Sequence, residues 1–61
     1  SVSGRRIAVV TVRAGDTPEL LASRMAPDRD RLELFRMLNG LEPGEALRAG
    51  RQVKLVVDRA R

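Results

Sequence analysis

The hydrophobic period of this chain changes between Val12 and Pro18, and that change limits what it can fold into. Upstream, Arg6 to Arg13 is rich in β-branched residues, with Ile7, Val9 and Thr11 on one face and Ala8, Val10 and Val12 on the other. That alternation predicts a strand. Downstream, Leu21 and Met25 share a helical face flanked by Leu20 and Ala22, which predicts a helix from Pro18 to Met25 or Ala26. The junction Val12-Arg13-Ala14-Gly15-Asp16-Thr17-Pro18 has the chemistry for such a switch. Gly15 tolerates the backbone angles of a sharp turn. Asp16 and Thr17 are both good N-caps, and Pro18 suits the first helical position, where a missing N–H costs nothing. With Asp16 as the cap, Glu19 stands at the third helical position and completes a capping box. The amides of such a turn either cap their own helix or hold a small polar group of a ligand.

Pro27 ends the first helix, because the residue before a proline avoids helical angles. Asp28 or Asp30 then caps a second helix reaching Leu38, with Leu34, Phe35 and Leu38 as its apolar stripe and Leu32 alongside. Asn39-Gly40 is a helix-ending pair, and Leu41 is placed to fold back onto the last turn. Glu42-Pro43-Gly44-Glu45 and Arg48-Ala49-Gly50-Arg51 are turns, and between them Ala46-Leu47 sends one apolar side chain to the core. Gln52 to Asp58 alternates again, with Val53, Leu55 and Val57 on one face and Gln52, Lys54 and Val56 on the other. Residues 1–5 read as a flexible lead, 6–58 as one domain and 59–61 as a frayed tail. The order is strand, helix, helix, strand. Two strands alone are barely stable, so the helices must cover one face of the pair. The expected core is Val10, Val12, Leu21, Met25, Leu34, Phe35, Leu38, Leu47, Val53 and Leu55. Strand direction stays open at this level.

Composition removes several function classes. The 61 residues include no cysteine and no histidine. Disulfides, the usual zinc sites and His- or Cys-based catalysis are therefore excluded, and no spaced or paired acids suggest a carboxylate site. We expect no catalytic residue, no metal ligand and no cofactor. No apolar run is long enough for a transmembrane segment. The opening Ser is expected for a piece of a longer protein, in which case the lack of a signal-peptide pattern says nothing of compartment. The net charge of +4 favours anionic partners. The arginines are nevertheless scattered among acids, and Phe35 is the only aromatic residue. No dense basic cluster or stacking platform is present, so nucleic acid is not an expected partner.

The segment Thr11-Val12-Arg13-Ala14-Gly15-Asp16-Thr17 resembles the opening of a LysM domain, Tyr-Thr-Val-x-x-Gly-Asp-Thr. Leu21-Ala22 is similar to the Ile-Ala pair of that family's first helix, and Leu38-Asn39 to the Leu-Asn that ends its second. Leu47-x-x-Gly50-x-x-Val53-x-Leu55 is similar to the closing Leu-x-Pro-Gly-x-x-Leu-x-Ile. The resemblance spans Thr11 to Val57. It implies an α+β fold, LysM-like βααβ, with a two-stranded antiparallel sheet and two helices packed on one face. A narrower likeness covers Arg24-Met25, Leu32 to Leu41 and Leu47 to Val56. These stretches look like the LysM-like C-terminal domain of bacterial, exported zinc metalloproteases. Those parents carry a His-Glu-x-x-His motif in a separate domain, and this chain has none of it.

The resemblance implies binding of N-acetylglucosamine glycan, peptidoglycan above all, in the periplasm or cell envelope, as a non-catalytic module localising a parent protease. The implied groove lies between Gly15, Asp16, Thr17 and Pro18 on one side and Asn39, Gly40, Leu41 and Glu42 on the other. Gly15 and Gly40 would allow close backbone approach, and Leu41 would seat the N-acetyl methyl. Pro18 stands where the family often has Leu, and no Tyr or Trp is available to stack on a sugar. The competing expectation is a protein-contact module. Ile7, Val9 and Val56 would point away from the helices, and such a patch suits docking on the parent's catalytic domain or on a partner.

Overall fold

The computed structural model describes residues 4–26 and 29–58. Four elements follow in order: β1 (Arg5–Thr11), α1 (Pro18–Ala22), α2 (Arg31–Asn39) and β2 (Gln52–Asp58). The strands pair antiparallel, in a register running from Arg5 opposite Asp58 to Thr11 opposite Gln52. This is the expected α+β, βααβ arrangement. The expected lead at residues 1–3, the Pro27 stop, the Asp28 cap and the tail lie outside the described residues.

The core gathers Val12, Leu21, Ala22, Met25, Phe35, Leu41, Val53 and Leu55, with Val10, Leu32, Leu34, Leu47, Val56 and Val57 partly buried against it. Phe35 is fully enclosed, at 0% exposure. Leu38, expected in the core, is only half-buried and stands outside this cluster. Val56 is also half-buried rather than exposed. The chain leaving α1 lies along its strand, and the Ala26 amide donates to the Val56 carbonyl at 2.9 Å.

Several local expectations are corrected. Strand β1 runs from Arg5 to Thr11 rather than from Arg6 to Arg13. Val12 nevertheless continues the pairing, donating to the Arg51 carbonyl and accepting from the Gly50 amide, each at 2.8 Å. Helix α1 stops at Ala22 rather than at Met25 or Ala26. Past Ala22 the bonds shorten to three residues, Arg24 to Leu21 at 3.1 Å and Met25 to Ala22 at 2.9 Å. The Ser23 hydroxyl also donates to the Leu20 carbonyl at 2.6 Å, so serine competes with the helical ladder. Met25 still reaches the core from this tightened turn.

The α1 cap is Thr17, whose hydroxyl accepts from the Leu20 amide at 3.1 Å. The capping box of Asp16 with Glu19 is not formed. Asp16 instead turns back to accept the Arg13 amide at 2.9 Å, while its own amide donates to the Arg13 carbonyl at 3.0 Å. Asp30 occupies the position before α2, but its side chain makes no capping bond. Its φ of 55° is left-handed, a strained choice for a residue with a Cβ.

Candidate functional site

The end of α2 decides what the second loop can offer. Gly40 adopts φ 68°, its amide donates towards Met37, and the Leu41 amide donates to the Arg36 carbonyl at 2.9 Å. This pair of bonds is a Schellman end, and its accompanying apolar contact is Leu41 turned into the core. Leu41 is 7% exposed, so its side chain is committed to packing and offers no open seat for a methyl group.

Asn39 is equally committed. Its amide nitrogen donates to the Phe35 carbonyl at 3.0 Å and to the Lys54 carbonyl at 2.9 Å. Its amide oxygen accepts from the Lys54 backbone N–H at 2.8 Å. Its own carbonyl accepts from the Arg51 guanidinium at 2.9 Å. Lys54 faces Val9 across the sheet but turns its main-chain groups outward. The Asn39 side chain therefore acts as a substitute peptide that closes the open edge of β2. Glu42 belongs to a turn: its amide is held by the Glu45 carboxylate at 2.9 Å, and its carbonyl accepts the Glu45 amide at 3.0 Å.

An open groove of about 220 Å³ nevertheless lies between the two loop regions. Thr17, Pro18 and Glu19 form one wall, Gly44, Glu45 and Ala46 the other, and Arg36 of α2 also borders it. Of the eight expected ligand residues, only Thr17 and Pro18 line this groove; Gly15, Asp16, Asn39, Gly40, Leu41 and Glu42 do not. The pieces missed by sequence reasoning are Glu19, Arg36 and the Gly44–Ala46 segment. The Pro43-Gly44 turn was the available signal, since Gly44 takes φ 82° and lays bare backbone at the surface. Among the described residues, the Gly44 and Ala46 amides enter no hydrogen bond. The groove's lining residues thus supply a proline ring, an alanine methyl, one guanidinium and the Glu19 and Glu45 side chains, with two main-chain amides free in its Gly44–Ala46 wall, groups able to take an N-acetyl group.

Gly15 and Asp16 directly precede Thr17 in the same turn and do not line the groove. Gly15 has φ 91°, and an added Cβ would meet nothing within 4 Å, so glycine is required by backbone angle rather than by space. Asp16 borders a second, larger cavity of about 490 Å³ with Val10, Thr11, Arg13 and Arg24.

The outer face of β1 carries the other expected residues. Ile7 is 50% and Val9 61% exposed. They pair with Val56 and Lys54, whose main-chain groups turn outward on the β2 edge, so those of Ile7 and Val9 turn outward on the opposite edge. Among the described residues there is no group of acids able to hold a metal ion, and no helix is long and apolar enough to cross a membrane. Comparison with protein-family models, curated proteins and solved structures finds no match.

Proposed function

We propose that this is a LysM-like, non-catalytic module that binds N-acetylglucosamine-containing glycan, peptidoglycan in particular. Its role would be to hold a parent zinc metalloprotease at the bacterial cell envelope. The observation that supports the reading is the groove between Thr17–Glu19 and Gly44–Ala46. It lies between the turn after β1 and the loop after α2, where the sequence resemblance locates glycan contact. With no aromatic platform to stack on a sugar ring, affinity should be low, and avidity or the parent's other domains would supply the rest.

The test is an amide NMR titration with N-acetylglucosamine oligomers. The expected shifts cluster on Thr17, Glu19 and Gly44 to Ala46. Ala46 is exposed and outside the regular elements, so Ala46→Glu should leave the melting temperature nearly unchanged. Its carboxylate would face the carbonyl of a seated N-acetyl group, and binding should weaken about tenfold, a change of ~1.4 kcal/mol. No shifts at millimolar oligomer would remove glycan recognition from this domain.

A second reading is docking through the outer edge of β1, on the parent's catalytic domain or a partner. It is favoured by the exposure of Ile7 and Val9 beside a strand edge that pairs with no other strand among the described residues. Val9→Asp should change the stability of the chain by less than about 1 kcal/mol, as a solvent-facing strand substitution does. Under the docking reading it would weaken association with the parent in a pull-down. Val56 is unsuited to this test because it is half-buried.

A further inference from the structure

The larger cavity, bounded by Val10, Thr11, Arg13, Asp16 and Arg24, shares no lining residue with the groove. We propose that it receives a carboxylate carried by the bound glycan, held between the Arg13 and Arg24 guanidinium groups. This inference rests on the glycan reading above and names the class of glycan.

Position supports it first. The two cavities share one turn: Asp16 borders this one and the adjoining Thr17 borders the groove. A polymer seated in the groove therefore runs beside the turn that also borders this cavity. Charge supports it next. Arg13 and Arg24 are exposed, and neither forms an ion pair among the described residues. Asp16 is half-buried, and its carboxylate is engaged with the Arg13 backbone amide. It closes the turn and leaves the Arg13 side chain for an incoming group. Two guanidinium charges against one carboxylate leave a single positive charge, which a monoanion matches and a phosphate dianion overshoots. Planar guanidinium groups also suit carboxylates by twin hydrogen bonds. The favoured ligand is thus a glycan bearing a free carboxylic acid, on a sugar ether or a peptide arm, rather than a neutral N-acetylglucosamine homopolymer.

The experiment is an NMR titration of the 61-residue chain in about 0.15 M salt, where long-range steering is screened. Four ligands are compared: a neutral N-acetylglucosamine tetramer, a disaccharide–peptide with free carboxylates, the same disaccharide–peptide amidated, and a peptide-free acidic disaccharide. The free acid should bind about tenfold more tightly than its amide, as one hydrogen bond to a charged group would give, and should shift the Arg13 and Arg24 Nε signals. Arg24→Gln should abolish that preference and leave the affinity for the neutral tetramer unchanged. Arg24 lies in the turn after α1 and contributes its backbone amide there, so the substitution keeps the fold. A peptide-free acidic disaccharide that retains the preference assigns the carboxylate to the sugar ether; one that loses it assigns the carboxylate to the peptide arm. Both results support the site. Equal affinity for acid and amide while the tetramer still binds overturns this inference and leaves the glycan reading intact. Arg24→Gln weakening all ligands alike overturns it too. No binding by any of them overturns both.

Discussion

Phe35→Ala is expected to leave the chain largely unfolded at 25 °C. Phe35 is the one aromatic side chain available, and it is wholly enclosed beside Leu21, Met25, Leu41, Val53 and Leu55 in the same cluster. Truncating such a ring costs about 3–5 kcal/mol, through lost transfer free energy and the cavity left behind. A domain of this length has roughly 3–9 kcal/mol of stability in total. It has no disulfide to limit the unfolded chain, so nothing offsets the loss. Urea unfolding followed by far-UV circular dichroism measures the effect. Phe35→Leu, which keeps most of the volume, should cost only about 1–1.5 kcal/mol and stay folded. A cooperative Phe35→Ala transition within 1 kcal/mol of the parent chain would show that the core does not depend on this ring.

The sequence made Phe35 legible because a helical stripe with one aromatic residue has few alternatives. The two strands, their inward faces, the Gly15 turn and the Gly40 end of α2 were legible for the same reason: each rests on a short-range rule acting within one or two turns. What escaped depends on contacts between distant segments. Met25 is buried as expected, yet it stands past the end of α1, because Ser23 draws the Leu20 carbonyl out of the helical pattern. Apolar spacing cannot tell a helix from a tightened turn that buries the same side chain. Val56 read as outward by alternation, and it does share the outer face with Ile7 and Val9. Its burial follows from the chain after α1 passing beside it, which no window around Val56 contains.

The candidate site shows the same division. Thr17 and Pro18, which the resemblance implied as ligand residues, stand at the capped start of α1, and that start forms one wall of the groove. The opposite wall was expected at Asn39 to Glu42 and lies at Gly44 to Ala46. The shift has a physical cause. A Schellman end turns the residue after its glycine inward, so Leu41 joins the core and the next exposed backbone belongs to the following turn. Sequence patterns mark helix ends well, yet they do not say which of the next few residues remains available to a ligand.

Asn39→Ala is the second large expected loss, about 2–3 kcal/mol, and it should arise without any change in the groove between Thr17–Glu19 and Gly44–Ala46. The side chain makes three hydrogen bonds, to the Phe35 carbonyl and to both main-chain groups of Lys54. Each is worth about 0.5–1.5 kcal/mol net, and the Lys54 groups recover part of the loss from water because that edge is exposed. The remainder is positional. These bonds tie the end of α2 to the edge of β2 across 15 residues of sequence, and Arg51 adds a further bond to the Asn39 carbonyl. Breaking them loosens both the strand edge and the frame around Leu41. Asn39→Asp should be worse than Asn39→Ala at neutral pH, because a carboxylate would then face the carbonyl oxygens of Phe35 and Lys54 with no proton to share. Chemical denaturation gives the energies, and hydrogen exchange at the Lys54 amide gives the site: its protection should collapse in Asn39→Ala, which leaves that N–H without its acceptor. If exchange at Lys54 is unchanged while stability falls, the side chain does not cap the strand. If instead stability holds and only oligosaccharide affinity drops, Asn39 faces the ligand rather than the sheet.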